Sequence, residues 1–309
     1  MSQPFLLGVN YWPRRKAMYW WRDFDAGEVR EEFAIIRDIG MQTVRIFLFW
    51  DDWQPAPDVV SADCMRHLEV VADTAAANGL KLDVTFFTGH MSGPNWPPEW
   101  LLDRSTRAKL PLRCVVKGQE VDHWYRNFFT DPVALDAQRL LLRTVVGAFH
   151  QHPALWMWNL GNEPDLFAIA PDRATGRQWV ESMTAEIRAL DDVHLVTTGL
   201  HSASLLTSDA LRCDDTFAIG DIGVMHAYPM YMDWVENPLD PWFVPYTCAM
   251  TAMLGGKPVL AEEFGGCTVP DGGESTIWAW ESYGQPRTQF MASESDFADY
   301  IAAILPNLQ

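Results

Sequence analysis

Two glutamates stand out by the segments that carry them. Glu163 closes the run Trp156-Met157-Trp158-Asn159-Leu160-Gly161-Asn162-Glu163-Pro164, and Glu263 lies in Lys257-Pro258-Val259-Leu260-Ala261-Glu262-Glu263-Phe264-Gly265. Each run is an apolar stretch of strand length ending in a carboxylate and a turn residue, so each delivers an acid to a strand end. Asn-Glu-Pro alone also suits an ordinary turn with a solvated glutamate. Two such acids on different strand ends can divide two tasks. One, protonated, assists a leaving oxygen, while the other, ionised, attacks carbon or activates water. Alternation along a strand predicts that only one of Glu262 and Glu263 faces the site, and parity leaves open which. Metal-dependent hydrolysis is not indicated, because no H-x-H or H-x-x-x-H stands at a strand end; His150 and His152 flank a helix end. There is no G-x-S-x-G nucleophile elbow either.

These acids need a frame, and the chain alternates short apolar runs with helical patterns. Strands are expected at 5–10, 43–49, 81–87, 154–160, 195–198, 222–226 and 258–261. Helices are expected at 28–39, 64–78, 131–150, 175–190, weakly at 203–211, and at 245–254 and 294–305. Asp131 is placed to cap its helix, with Pro132 at the first position. Strands apolar on both faces between helices mean a parallel sheet. The first strand leads into Gly8-Val9-Asn10-Tyr11-Trp12 rather than a G-x-G-x-x-G phosphate turn, so a TIM-type (β/α) barrel fits better than a doubly wound sheet. Long loops at 88–130, 161–174, 227–244 and 264–293 then crowd the end of the barrel where such folds place their sites. No linker is visible, so residues 1–309 read as a single barrel domain.

Composition narrows the partners. Among 309 residues, 23 Lys plus Arg face 41 Asp plus Glu, a net charge of −18 that argues against nucleic acid. No apolar run approaches the roughly 18–20 residues of a membrane span, and Met1-Ser2-Gln3-Pro4 shows no export signal. Five scattered cysteines without a C-x-x-C pair indicate neither a disulfide framework nor a zinc site, and point to a reducing cytoplasm. Tryptophan is the outlier, with 15 residues. Such rings fill cores, and their flat faces also stack on the C–H faces of sugars. Trp50, Trp96, Trp278 and Trp280 are the candidate platforms.

At these motifs the chain resembles glycoside hydrolase family 5 and the wider clan of (β/α)8 retaining enzymes. The segment from His152 to Pro164 is similar to the family's acid/base segment, and Lys257–Gly266 to its nucleophile segment, where the glutamate before Phe-Gly is the nucleophile. Thr43–Trp50 carries the second-strand arginine at Arg45, and Val224–Pro229 the sixth-strand His-x-Tyr at His226 and Tyr228. The resemblance implies that Glu163 is the general acid/base and Glu263 the nucleophile. It also implies that Arg45 and Tyr228 support Glu263, that Asn162 binds the sugar 2-hydroxyl, and that His226 sits near Glu163. His90 is a candidate for a sugar hydroxyl, and Glu163 is expected to titrate high beside its anionic partner. No cofactor is implied. β-Mannosides lead as substrates, with β-glucosides and β-galactosides behind. The long loops favour exo action on small glycans. The alternative is a weak or inactive carbohydrate-binding relative.

One departure matters for the frame. The family's eighth strand has no counterpart before Gln309, and 264–293 lacks a clean apolar strand run. The expectation is a barrel open or locally rearranged after the seventh unit, its edge covered either by the 264–293 loop folding into the gap or, favoured, by a homo-oligomer.

Overall fold

The computed structural model describes residues 5–109, 112–206, 210–232, 234–282 and 285–308. Seven parallel strands follow one another round the fold: β1 (Gly8–Asn10), β2 (Thr43–Phe49), β3 (Lys81–Thr88), β4 (Leu155–Asn162), β5 (Leu195–Gly199), β6 (Gly223–His226) and β7 (Val259–Glu263). The first five form one sheet in sequence order, and β6 pairs with β7. Between the two sets the ladder thins to a bridge between His201 and His226, with His226 N–H donating to Leu200 O at 3.0 Å. On the other flank, the Asn10 side chain donates to the Glu262 carbonyl at 3.1 Å. Among the described residues no eighth parallel strand lies between β7 and β1. This is a TIM-type α/β arrangement, as the alternation of elements predicts.

The longer helices are α1 (Ala26–Asp38), α2 (Ala62–Ala77), α3 (Pro132–Phe149), α4 (Arg173–Arg188), α5 (Cys213–Ile219), α6 (Phe243–Gly255) and α7 (Glu294–Leu308). Their starts are chemically marked: Asp25, Ser61, Asp131 and Asp172 each accept backbone N–H groups of the first turn. Such caps contribute about 1 kcal/mol apiece. The helix expected at 203–211 is a correction. The chain makes a single 3-10 turn at Ser202–Leu205, residues 207–209 lie outside the described residues, and the helix of this unit is α5. Asp214 and Asp215 in its first turn suit a helix start there.

The loop read at 264–293 also needs correcting. It contains an antiparallel hairpin of β8 (Thr276–Ser282) and β9 (Gln285–Met291), which lies outside the barrel sheets. Its alternation places Trp278 and Trp280 on one face and Ile277 on the other, all exposed, so no continuous apolar run announces it. The main core lies in the first five units, where β2 is buried at every residue. A second, smaller cluster joins Met225, Phe243, Val244, Tyr300 and Ile304 around β6 and the helices α6 and α7. No helix among the described residues is long and apolar enough to cross a membrane.

Candidate active site

The ends of β2, β3, β4, β6 and β7 bring their polar residues to one place. Arg45 is 4% exposed and sits at the hub. Its Nη1 donates to Glu263 Oε1 at 2.5 Å and its Nη2 to Asn162 Oδ1 at 2.9 Å, while Nε donates to Thr85 Oγ1 at 2.8 Å. The guanidinium also lies 4.5 Å above the Phe47 ring, which stacks at 4.7 Å on Trp12. This planar sandwich and fork of bonds fixes one orientation, which a lysine ammonium would not hold.

Glu163 follows the last residue of β4 in a left-handed conformation, φ 48°, with its N–H donating to Gly199 O at 2.9 Å. Such a φ is uncommon outside glycine and marks local strain, which aims the carboxylate across the barrel mouth. His226 Nδ1 lies 3.2 Å from Glu163 Oε1 and 3.5 Å from Glu263 Oε2. Tyr228 Oη donates to Glu263 Oε2 at 2.9 Å. His90 Nε2 is 3.8 Å from Glu163 Oε2, and its Nδ1 faces Asn95 Oδ1 at 2.6 Å. The Asn162 amide donates to His90 O at 2.7 Å, which leaves it one N–H and one lone pair. An oxygen of Glu163 and an oxygen of Glu263 lie within 4.8 Å of one another, and each carboxylate side chain keeps 10% exposure.

Both members of the Glu262-Glu263 pair point inward, which corrects the expectation that one must face away. Met225 pairs with Ala261 and His226 with Glu263, so Glu262 is an extra residue, a β-bulge. A bulge breaks the alternation and re-aims the side chain. Glu262 lies deeper than its neighbour, at 2% side-chain exposure. Its Oε2 is 2.7 Å from His226 Nε2 and 3.2 Å from Arg45 Nη2, and Asn159 Nδ2 donates to Oε1 at 2.8 Å.

The charges settle accordingly. Burial alone would neutralise His226, but Glu263, Glu163 and Glu262 around the ring outweigh it and raise the imidazole to about 10. Burial likewise pushes Glu163 up, yet the hydrogen bond and charge of His226, with His90 and His201 behind it, bring it down to about 2. The expectation of a high-titrating Glu163 is therefore corrected for the resting site, because the neighbouring imidazolium outweighs the neighbouring carboxylate. Burial raises Glu262 too, and Arg45 and His226 hold it at about 2. Asp83, buried on β3 beside Glu262, goes the other way: burial first and the Glu262 charge second push it well above the carboxylate range. Burial and Glu163 raise Asp165 to about 8.

The tryptophans divide. Trp50 is fully buried, with its indole N–H on Gln54 and its ring among Phe87, Trp100, Phe128 and Phe167, so it packs the core and offers no face to a sugar. Trp96 is also buried, its N–H held by Met91 O. Trp278 is 55% exposed and stacks on Trp280 at 4.7 Å. Sequence reasoning passed over Asp83 and Asn159. Their signal was present, since Asp83 is the only carboxylate of β3 and Asn159 interrupts the apolar run Leu155–Leu160 of β4. Glu163, His226 and Glu263 form the one cluster among the described residues compact enough for a metal ion. Arg45 and Tyr228 each donate to one oxygen of Glu263, and the Arg45 guanidinium already supplies the positive charge that a second cation would have to share.

Known proteins share this frame. No family model matches the chain. It is similar to the mannan endo-1,4-beta-mannosidase A of Hypocrea jecorina, 26% identical over 273 residues, covering 77% of this chain and 55% of that one. A probable mannan endo-1,4-beta-mannosidase A-2 of Aspergillus terreus is 25% identical over 260 residues, covering 75% and 60%. The chain thus spans a little over half the length of the curated relatives it matches. Among solved structures, a GH5_18 protein of Streptomyces cattleya in complex with Manβ1-4GlcNAc superposes with TM-score 0.77 at 19% identity, over 98% of this chain and 67% of that one. An exo-beta-1,4-mannosidase from Opitutaceae bacterium strain TAV5 gives TM-score 0.75 at 23% identity, over 98% and 49%. The chain shares the (β/α)-barrel fold of these solved structures, and in sequence it resembles the mannan endo-1,4-beta-mannosidases.

Proposed function

We propose that the chain is a retaining β-glycoside hydrolase with β-mannosides as its substrates, Glu163 as acid/base and Glu263 as nucleophile. The observation that carries this reading is the separation of the two carboxylates, within 4.8 Å at their nearest oxygens. That supports direct attack, since retaining pairs stand about 5–5.5 Å apart and inverting pairs about 6.5–9.5 Å. In the first half-reaction Glu263 attacks the anomeric carbon as the glycosidic C–O bond breaks, and the leaving oxygen takes a proton through Glu163. In the second, water attacks the ester and returns a proton to Glu163. Arg45 and Tyr228 orient Glu263. The remaining N–H of Asn162 is free for the sugar 2-hydroxyl, and the exposed Trp278–Trp280 pair suits a sugar bound further out.

The names of the relatives favour mannosides, and the long loops over the barrel mouth favour short chains cut from the end. The flank between β1 and β7, spanned by an asparagine side chain, supports self-association there. Light scattering that shows a monomer at all concentrations removes that last element.

A panel of nitrophenyl β-glycosides tests the reading. Turnover of the β-mannoside is expected, with retention visible in the first-formed product by NMR. Glu263→Ala is expected to lose activity by about 10⁴-fold or more and to regain part of it with azide, forming a glycosyl azide. No turnover of any glycoside, with binding intact, would leave a carbohydrate-binding relative. Azide rescue of Glu262→Ala in place of Glu263→Ala would move the nucleophile.

A further inference from the structure

The bulge in β7 places a third carboxylate directly beneath the reacting pair, where no substrate atom can reach it. Glu262 has 2% side-chain exposure, against 10% for Glu163 and Glu263. It nevertheless touches both cations of the site. His226 Nε2 is 2.7 Å from Oε2 and Arg45 Nη2 is 3.2 Å from the same oxygen, while Asn159 Nδ2 holds Oε1 at 2.8 Å. A buried carboxylate with two hydrogen-bonding partners and an ion-paired guanidinium is a fixed point for those partners.

We propose that Glu262 is a positioning residue of the reaction: it clamps the Nε2–H of His226, so that Nδ1–H points at Glu163, and it holds the Arg45 fork toward Glu263. The proposal rests on the two-carboxylate reading of the site. The three carboxylates round the ring keep it an imidazolium with a proton on each nitrogen, so with Nε2–H held by Glu262 the Nδ1–H meets Glu163. Glu163 and His226 then share one proton between them. The leaving oxygen takes that proton through Glu163 as the C–O bond breaks, leaving His226 neutral at Nδ1. The attacking water of the second step gives a proton back to the pair. One proton leaves and one returns, with no other reactant.

The groups facing this imidazole come from five units: Arg45 of β2, Asp83 of β3, Glu163 and Asp165 beyond β4, His201 beyond β5, and Glu262 and Glu263 of β7. Asp83 is raised by burial and by the charge of Glu262, which disfavours a second negative charge under the ring. The balance at His226 therefore turns on the three glutamates. Removing the charge of Glu262 leaves the ring with two acceptors on Nδ1 and none of full charge on Nε2.

Glu262→Gln keeps the volume and one acceptor oxygen while removing the charge. The alkaline limb of kcat/KM is expected to move down by about one pH unit or more. kcat is expected to fall about 10–100-fold with KM nearly unchanged, and Glu262→Asp to restore part of both. A 2-fluoro glycoside should still label Glu263 in the Gln variant, and azide should not rescue it. An unmoved alkaline limb, with activity lost through poor folding alone, overturns the proposal. Azide rescue would instead overturn the assignment of Glu263. Nitrogen-15 NMR of the His226 ring reads the clamp without activity: its titration should drop in Glu262→Gln relative to the parent protein. An identical titration in both overturns the proposal even for a protein that hydrolyses nothing. Should the Gln variant be too unstable to purify, Glu262→Asp carries the same two measurements, with smaller shifts expected.

Discussion

The two halves of this barrel are built differently. From β1 to β5 the strands share one continuous ladder, every residue of β2 is buried, and the core holds Trp20, Trp21, Trp50, Trp53 and Trp158. From β6 onward the sheet is two strands, β7 is half-buried along most of its length, and the core cluster is far smaller. Glu163 belongs to the first half and Glu263 to the second. The backbone joins the halves weakly, through the His201–His226 bridge and the Asn10 side chain. What spans them is the site itself: Arg45 of β2 binds Glu262 and Glu263 of β7, and His226 of β6 meets Glu163. The polar network of the candidate site is therefore also a structural staple. Activity and stability should respond together when it is cut.

Arg45→Met is expected to give the largest effect. Removing one partner of a buried ion pair leaves uncompensated charge and costs about 3–5 kcal/mol. Here two carboxylates lose their cation at once, and turnover should fall by about 10³-fold or more as Glu263 loses its orientation. Denaturant melts and nitrophenyl glycoside kinetics read both. A variant that loses turnover while melting like its parent would separate site from staple.

Hydrogen exchange sharpens the same contrast without mutation. Amides of β2, β3 and β4 should exchange only through global unfolding, while those of β6 and β7 open by a smaller event, about 100-fold faster. Equal protection in both halves would mean that the polar network couples them into one cooperative unit.

The staple should also make stability depend on pH from both sides. Glu163 and Glu262, held at about 2, contribute stability that is full above the ordinary glutamate value of 4.5 and is lost as pH falls toward 2. His226, raised to about 10, contributes stability that is full below its ordinary value of 6.5 and is lost as pH rises toward 10. The melting temperature should therefore peak between about pH 5 and 6.5 and fall by several degrees on each side. His226→Asn should remove the part of the alkaline fall that reaches toward pH 10, leaving the part that ends near 8, where buried Asp165 titrates. A parent protein already flat there contradicts a charged His226.

Much of this was readable in the residues, for identifiable reasons. Buried parallel strands announce themselves as apolar runs, and Asp131 before Pro132 marks a helix start by local chemistry alone. The acids sat in motifs at strand ends, so their convergence followed once the strands were placed. The bulge at Glu262 was hidden because register is a property of two strands, and β7 carries no glycine at the bulge to betray it. Asp83 looked like an interruption of an apolar run until the opposite wall supplied Glu262. Trp50 and Trp278 have the same side chain. Only the neighbours supplied by other units bury one and leave the other on a hairpin face.

That difference between the tryptophans gives the smallest effect. Trp278 stands directly opposite Gln289 in the hairpin, so the two side chains share a face. Gln289 Nε2 donates to Tyr231 Oη at 3.2 Å, and the Tyr231 ring lies 5.6 Å from Tyr228, the donor to Glu263. The Trp278–Trp280 face is thereby tied to the rim of the site without touching its reacting groups. A sugar unit beyond the cleaved bond would meet it, whereas a nitrophenyl monosaccharide would not. Trp278→Ala should raise KM for a manno-oligosaccharide by about 2–10-fold, the size of an aromatic contact of about 0.5–1.5 kcal/mol. kcat on the oligosaccharide and both constants on the nitrophenyl substrate should stay close to the parent values. Equal losses on both substrates would mean that the hairpin supports the fold of the second half. No loss on either would leave the stacked pair outside the path of the substrate.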